Sequence, residues 1–246
     1  MDTTLDWFQD EEFWREMYPV FFSPQRFAMA AEQVECVISL TGVEHGAVLD
    51  LCCGPGRHAA KFAERGFQVT GVDRSEYLLD RARETGAAVE WVSADMREFV
   101  RPGAFDLACS MFTSFGYFED EEDDRLVLAN LFENLRPGGA LLIDVIGKET
   151  LARRWSATPW LVEAGVRVLN RPIIHDGWGR VSIEWIVLRG ETARTFMVHH
   201  NLYSGREMKD MLRDAGFTGI RLYGNLHGAP YDLEASRLTV VAKKPV

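Results

Sequence analysis

A glycine-rich loop directly follows the apolar run Val48–Leu51. Within the loop, Gly54, Gly56 and Ala59 match the G-x-G-x-x-A pattern, in which small residues let the backbone approach a nucleotide closely. Asp73 follows at about the spacing at which an acidic side chain accepts hydrogen bonds from a ribose. Taken alone this pattern is weakly specific, and it predicts a ligand that contains a nucleoside.

Two ligand classes compete for this loop, and the carboxylate of Asp50 distinguishes them. A nicotinamide dinucleotide would place its negatively charged pyrophosphate beside Asp50, where like charges repel. A ligand with a sulfonium and an α-ammonium group would instead be stabilised there. A structural Asp50 that only accepts hydrogen bonds from loop amides is compatible with both ligands, so an NAD(P)-binding oxidoreductase stays open as the alternative.

The composition restricts the class of protein. The chain has 246 residues, of which 47% are hydrophobic, and a formal net charge of −10. This length supports one substantial core, and the acidic balance disfavours a nucleic-acid binder, which needs a basic face. No apolar run approaches the ~20 residues that span a bilayer, and residues 1–15 lack the pattern of a signal peptide. The cysteines lack zinc-ligand spacing, so we expect no metal. They also form no disulfide framework, so we expect reduced thiols and a cytoplasmic protein.

The elements that must position the loop form an alternating series. Short, continuously apolar runs, which indicate strands covered on both faces of a parallel sheet, alternate with amphipathic stretches typical of helices. The predicted strands are Ala47–Leu51, Gln68–Val72, Ala88–Val92, Phe105–Ser110 and Ala140–Ile146, and the predicted helices are Arg57–Arg65, Ser75–Glu84 and Asp123–Leu135. This series predicts an α/β fold.

Two regions differ from that series. Residues 1–45 are expected to form a helical lid. Residues 151–203 contain extended segments separated by turn signals such as Asp176-Gly177, which predicts a small inserted antiparallel sheet over the substrate. Residues 46–150 and 204–246 then form the ligand-binding core, and the second part opens on a Ser-x-x-Glu capping box.

Five short motifs follow one another in order across residues 47–146. They are Asp50-Leu51-Cys52-Cys53-Gly54-Pro55-Gly56, Val72-Asp73-Arg74-Ser75, Ala94-Asp95-Met96, Phe105-Asp106-Leu107 and Leu135-Arg136-Pro137-Gly138-Gly139. Together they resemble the successive motifs of class I S-adenosylmethionine (SAM)-dependent methyltransferases. The resemblance implies a Rossmann-like, doubly wound, mostly parallel sheet of seven strands whose last strand is antiparallel. Cys52 stands where the family usually has its first loop glycine.

The resemblance also implies that SAM is the cofactor and assigns roles in binding it. Asp73 would accept hydrogen bonds from both ribose hydroxyls, Asp95 would accept one from the adenine amino group, and Met96 would pack against the adenine ring. Asp106 is expected to stabilise the start of its strand and not to contact the ligand. The remaining cofactor-binding candidates are Asp50, Cys52 through its backbone, Cys53, Gly54, Arg74, Ser110 and Met111.

The N-terminal region supplies candidates for binding the methionine carboxylate of SAM. Tyr18-Pro19 followed by Arg26 resembles the N-terminal lid of small-molecule methyltransferases that modify aminosugars and other antibiotic precursors. Arg26 is favoured over Arg57, at the start of a helix, as the cation that binds this carboxylate. Tyr18 either covers the sulfonium or anchors a helix.

The candidate catalytic residues are Tyr18, Tyr117 and His200. Tyr117 belongs to Met111–Phe118, which follows the fourth strand, and ligands of open α/β sheets bind at the carboxyl ends of the strands. His200 shares a strand face with apolar neighbours, so it is expected to be buried or to face the cavity. It is the candidate general base, with a core histidine as the alternative.

The expected function is transfer of a methyl group from SAM to a nitrogen or oxygen of a small molecule, by a monomer or homodimer. Displacement at a sulfonium depends more on alignment of the acceptor than on acid–base chemistry. A neutral amine needs little help, whereas an alcohol needs a base with a pKa of about 7. A SAM-binding regulator without catalytic activity is the remaining alternative.

Overall fold

Residues 6–155, 160–163 and 166–246 are described by the computed structural model, and their strands form two sheets. In chain order the strands are β1 (Ala47–Leu51), β2 (Gln68–Asp73), β3 (Val89–Ser93), β4 (Phe105–Ser110), β5 (Leu135–Val145), β6 (Trp160–Glu163), β7 (Val166–His175), β8 (Arg180–Arg189), β9 (Thr192–Asn201), β10 (Thr218–Tyr223) and β11 (Leu238–Lys243). The helices are α1 (Glu11–Phe21), α2 (Pro24–Ala28), α3 (Ala30–Thr41), α4 (Arg57–Glu64), α5 (Glu76–Arg83), α6 (Glu121–Asn134), α7 (Lys148–Arg153) and α8 (Gly205–Asp214).

The larger sheet has seven strands in the order β3-β2-β1-β4-β5-β11-β10. Neighbouring strands from β3 to β5 are parallel, and β11 runs antiparallel to both β5 and β10. Apolar clusters cover both faces of the sheet, which explains why its strands are continuously apolar in sequence. The predicted α/β class and the mostly parallel seven-stranded sheet with an antiparallel last strand are confirmed.

The strand order reverses beside β1, because β1 pairs with β2 on one side and with β4 on the other. In open α/β sheets, ligands bind outside the carboxyl ends of the strands at such a reversal. Two side-chain caps begin the helices that follow β2 and β9 where the sequence predicted. Ser75 accepts a hydrogen bond from the amide of Leu78, and Ser204 and Glu207 form a reciprocal capping box.

β5 begins at Leu135 and not at the predicted Ala140. Leu135 pairs with Phe105, and regular pairing resumes only at Ala140, after an irregular segment. Within that segment, Arg136 donates hydrogen bonds to both carboxylate oxygens of Asp106 at 2.8 and 2.7 Å. Asp106 also accepts one at 2.7 Å from the amide that starts β1. The carboxylate therefore stabilises the amino-terminal edge of the sheet.

The second sheet is antiparallel, in the order β6-β7-β8-β9. Its last three strands match the predicted extended segments, but β6 was not predicted, because four residues at a sheet edge carry too little pattern. One face of the sheet packs against α1, and an ion pair between Arg189 and Glu16 at 2.9 Å joins the two. The predicted lid and cap also include residues 1–5, 156–159 and 164–165, which lie outside the described residues. No described helix is long and apolar enough to cross a membrane.

Candidate active site

A cavity of about 590 Å³ lies at the carboxyl ends of the parallel strands, where the loops after β1, β2, β3 and β4 meet α1 and the second sheet. This volume is in the range of small-molecule sites. Most of the residues singled out from the sequence line it: Arg26, Asp50, Cys52, Cys53, Gly54, Asp73, Arg74, Asp95, Met96, Met111, Tyr117 and His200. The fold therefore brings together residues that are up to 174 positions apart in sequence (200 − 26).

The loop after β1 curves around the base of the cavity. Cys52, Gly54 and Gly56 have φ angles of 61°, 55° and 74°, in the left-handed region that favours glycine. A side chain at Gly56 would also collide with the ring of Trp91. Cys52 therefore adopts a backbone conformation that glycine favours, and its side chain is small.

Asp50 is buried in the cavity wall, with 2% of its surface exposed. Its Oδ2 atom has no hydrogen-bond partner among the described residues. Burial raises the pKa of Asp50 to about 7, against smaller opposing effects of the Ala59 amide and the Arg57 charge. A buried carboxylate oxygen without a partner is stabilised by a cationic hydrogen-bond donor placed in the cavity.

Asp73 ends β2, and two backbone amides hold its carboxylate in place. The amide of Gly54 donates to Oδ2 at 2.8 Å, and the amide of Ser75 donates to Oδ1 at 3.0 Å. Burial nevertheless raises the pKa of Asp73 to about 6. The side chain is therefore fixed in orientation, and each oxygen keeps a lone pair for hydroxyl donors in the cavity.

Asp95 differs from the other two carboxylates because arginines already engage it. Arg97 donates to both of its oxygens at 3.0 and 2.8 Å, and Arg74 approaches Oδ2 at 2.5 Å. Burial acts to raise the pKa of Asp95, but the hydrogen bonds and charges of Arg97 and Arg74 outweigh it and lower the pKa. Sequence reasoning missed Arg97, although its position two residues after Asp95 is the local feature that could have indicated it.

Arg57 and Arg26 place two guanidinium groups on one side of the cavity. Arg57 is 7% exposed and makes no ion pair within the described parts of the chain. Its Nη1 donates to the backbone oxygen of Arg26 at 3.0 Å and to Oε1 of Gln33 at 3.4 Å. Burial, and then the charge of Arg26, lower the pKa of Arg57 to about 10. A buried cation without a carboxylate partner favours an anionic group in the cavity.

Another part of the cavity lining is mostly apolar and aromatic. The rings of Tyr117 and Trp7 lie 4.6 Å apart there, and burial raises the pKa of Tyr117. His200 is 7% exposed, and burial lowers its pKa to about 4. The other aromatic residues in this part are Phe8, Phe13, Trp14, Phe21 and Trp185. This part of the lining suits a ligand with apolar surface and a few polar contacts.

Two residues predicted to bind the cofactor do not line the cavity. Ser110 is buried within β4, with 2% of its surface exposed. The ring of Tyr18 lies 5.3 Å from that of Phe22 and 5.9 Å from that of Tyr77 on α5. The position of Tyr18 therefore favours the alternative in which it anchors a helix, because it packs against α5 and does not line the cavity. Among the described residues, no cluster of three or more His, Cys, Asp or Glu side chains is suited to hold a metal ion.

Comparisons with known proteins agree with this geometry. Residues 48–139 match the family model described as "Methyltransferase domain". The chain is 28% identical over 218 residues to a putative methyltransferase of Bacillus subtilis, covering 82% of this chain and 85% of the relative. It is also 28% identical over 218 residues to a dTDP-3-amino-3,4,6-trideoxy-alpha-D-glucopyranose N,N-dimethyltransferase of Streptomyces venezuelae, covering 86% of this chain and 81% of that relative. The fold is similar to the crystal structure of a SAM-dependent methyltransferase from Clostridium acetobutylicum, with a TM-score of 0.77 and 17% sequence identity. The match covers 96% of this chain and 98% of that structure.

Proposed function

This chain belongs to the class I SAM-dependent methyltransferases, and we propose that it methylates a nitrogen atom of a small-molecule acceptor. SAM supplies a methyl group on a sulfonium, whose leaving group is neutral. The observation that carries the cofactor assignment is the buried, unpartnered Oδ2 of Asp50 in a cavity that also has an aromatic lining. The oxidoreductase and the regulator without activity are not retained.

The cavity's charged residues fit the parts of SAM one by one. Asp50 would accept a hydrogen bond from the α-ammonium group, and the guanidinium of Arg57, with Arg26 beside it, would bind the α-carboxylate. Arg26 was favoured from the sequence, but Arg57 is preferred here because it is buried and has no ion pair among the described residues. Asp73 would accept hydrogen bonds from the ribose hydroxyls. Met96, 7% exposed in the cavity wall, would pack on the adenine ring. The opposite charges on this side thus complement a zwitterionic amino-acid group.

The adenine amino group has a competitor at Asp95. Arg74 already contacts Oδ2 of that carboxylate, but the Arg74 side chain is 42% exposed and can move or share the oxygen. Arg97, 28% exposed, holds the carboxylate from the other side. We therefore expect Arg97 to fix Asp95 for adenine, and Arg74 to change its contacts when the cofactor binds.

The two candidate catalytic residues on the acceptor side, His200 and Tyr117, favour nitrogen over oxygen, because neither readily accepts a proton near neutral pH. With a pKa of about 4, His200 is a weak acceptor of the proton that an alcohol must lose. The raised pKa of Tyr117 keeps its phenol protonated, so it serves as a hydrogen-bond donor or apolar wall. A neutral amine presents its lone pair without prior proton loss. What remains for the protein is to align that lone pair with the methyl–sulfur bond.

A matched acceptor screen tests this proposal. Pairs of compounds that differ only in an amine or a hydroxyl group would be incubated with SAM, and S-adenosylhomocysteine formation measured. The amino sugar that appears in the name of the Streptomyces venezuelae relative is a rational first scaffold. We expect turnover with amines only. Turnover restricted to the hydroxyl partners would contradict nitrogen as the acceptor, and binding of NAD in place of SAM would contradict the cofactor assignment.

A further inference from the structure

Two consecutive residues after β4 have left-handed backbone conformations. The φ angle is 58° at Phe112 and 69° at Thr113. Bulky and β-branched residues are rare in this region, and they persist there only where surrounding contacts hold them. Both residues line the cavity. The chain therefore maintains a strained turn in the wall of the candidate active site.

A single buried residue binds both strained positions. Asp144, near the end of β5, has no exposed surface. Its Oδ2 accepts a hydrogen bond from the amide of Phe112 at 3.2 Å, and its backbone oxygen accepts one from the amide of Thr113 at 2.8 Å. Because these bonds join β5 to the turn after β4, Asp144 determines the path of the chain at the cavity.

Arg237, just before β11, completes the network. Its Nε donates to Oδ1 of Asp144 at 3.0 Å, and its Nη2 lies 2.8 Å from Oδ2. The same Nη2 donates to the hydroxyl of Thr113 at 3.0 Å, and the hydroxyl of Thr239 donates to Oδ1 of Asp144 at 2.8 Å. Both carboxylate oxygens are thus engaged, and removing one partner of such a buried pair is costly.

The ring of Phe112 connects this network to the cofactor side of the cavity. Cζ of Arg57 lies 4.2 Å from the centroid of the ring. The ring of His58 stacks on it at 5.3 Å, with 9° between the planes. Nε2 of His58 in turn lies 2.8 Å from Oε1 of Gln33, the same oxygen that Arg57 contacts. Phe112 therefore forms one side of the packing that fixes the guanidinium of Arg57.

We propose that Asp144 and Arg237 are positioning residues for the amino-acid end of the cofactor. They hold the strained Phe112–Thr113 turn, and the ring of Phe112 keeps the guanidinium of Arg57 where it binds the carboxylate. This inference rests on the proposed function, because it needs a carboxylate-bearing ligand at Arg57.

Two ligands distinguish this role from a general effect on the fold. S-adenosylhomocysteine has the amino-acid end, whereas 5′-methylthioadenosine lacks it, and both contain the adenosine group. We expect Asp144→Asn to weaken binding of S-adenosylhomocysteine by about tenfold, and that of 5′-methylthioadenosine by less than about twofold, measured by calorimetry. Arg237→Lys keeps the charge but loses the forked geometry, so it should act in the same direction. Because Arg237 also lines the cavity, Thr239→Val is the deciding variant if Asp144→Asn does not fold: it removes the hydroxyl that donates to Oδ1 of Asp144, and Thr239 does not line the cavity.

Rescue and control variants sharpen the test. Thr113→Gly, added to Asp144→Asn, should recover part of the lost affinity for S-adenosylhomocysteine, because glycine adopts a positive φ without strain. Asp106→Asn is the matched control. The Asp106 carboxylate also binds an amide and an arginine, but at the opposite end of β4. We expect this control to leave both affinities unchanged.

The outcomes separate the inference from the proposed function. Equal weakening of both ligands, or of neither, in Asp144→Asn and Arg237→Lys would overturn the positioning role. A wild-type protein that bound S-adenosylhomocysteine no better than 5′-methylthioadenosine would instead overturn the placement of the carboxylate at Arg57. Failure of Thr113→Gly to recover any affinity would show that relief of backbone strain is not the link.

Discussion

The carboxylates of Asp50 and Asp73 line the same cavity, and the charge of Asp73 adds to burial in raising the pKa of Asp50 to about 7. Burial likewise raises the pKa of Asp73 to about 6. Carboxyl groups held in this way favour the approach of a cation, and they reduce the stability of the protein when ionised without one. Ligand binding and stability are therefore coupled through the same two side chains.

Asp50→Asn should stabilise the ligand-free protein at alkaline pH while it weakens binding of SAM. The pKa of Asp50 rises from 3.8 to about 7 on folding. A raised acid pKa stabilises the folded state at low pH, and this contribution, up to about 4 kcal/mol, is lost as the pH rises through that interval. Thermal unfolding should show a higher Tm for the variant than for wild type at about pH 8, with the difference shrinking at about pH 5. A variant that kept wild-type affinity for SAM would contradict the ammonium contact.

Asp73→Ala should weaken SAM binding by ~2–4 kcal/mol, because hydrogen bonds from two ribose hydroxyls to a carboxylate are lost. Calorimetric titration measures the change. Asp80→Ala is a suitable control, since Asp80 lies exposed on the neighbouring helix α5, in an ion pair with Arg83. Unchanged affinity in a folded Asp73→Ala protein would place the ribose elsewhere.

The rate of methyl transfer in His200→Gln should stay within about threefold of the wild-type rate, because glutamine preserves a polar side chain and no base is lost. Loss of a general base would instead lower the rate by at least about 10²-fold. Since burial lowers the pKa of His200 to about 4, its imidazole is neutral near neutral pH. The dependence of kcat/KM on pH should then follow the acceptor amine, rising as that amine loses its proton. A hundredfold loss in the variant would instead identify His200 as a base and favour an oxygen acceptor.

Phe13→Ala should release α1 from the second sheet. Phe13, Met17 and Val20 are buried there, and truncating a buried phenylalanine costs about 3–5 kcal/mol. We expect faster proteolysis within α1 and a loss of methyl transfer, with only a modest loss of affinity for S-adenosylhomocysteine, because water then enters the acceptor side.

Phe62→Ala is the control for this effect, since Phe62 is fully buried in a different cluster, beneath the larger sheet. It should lower global stability without selective cleavage in α1. Full turnover by a Phe13→Ala protein whose first helix is demonstrably released would contradict the role of this region as a lid.

The parts of the site that could be predicted from sequence are those encoded within a few residues of a strand end. Asp50 lies near the carboxyl end of β1, Gly54 follows that strand and Asp73 ends β2, so the alternation of strands and helices was enough to bring them to one edge. The second sheet was predicted in outline because its turns carry Asp-Gly and Arg-Gly signals. β6 was missed, because a short edge strand has no such boundary.

The contacts that sequence could not indicate join distant segments through geometry. Arg237 and Thr113 are 124 residues apart, and no local pattern relates them. The ion pairs of Asp95 with Arg74 and Arg97 depend on the conformations of long, flexible arginine side chains, which a sequence pattern does not indicate. Tyr18 is a further example: its spacing from Arg26 resembles a lid motif, but its ring packs on Tyr77 and does not line the cavity.

The contacts of the first helices have a consequence for how the protein is made. The indole of Trp7 donates a hydrogen bond to the backbone of His199, 192 residues later, and Glu16 pairs with Arg189, 173 residues later. During synthesis α1 emerges well before β8 and β9, so its binding surface on these strands does not yet exist when α1 leaves the ribosome. Bringing together segments so far apart in sequence has a large entropic cost, which slows the step, so we expect α1 to dock late. The nascent chain therefore exposes an aromatic segment for most of its synthesis, and the cavity is completed only when that segment docks.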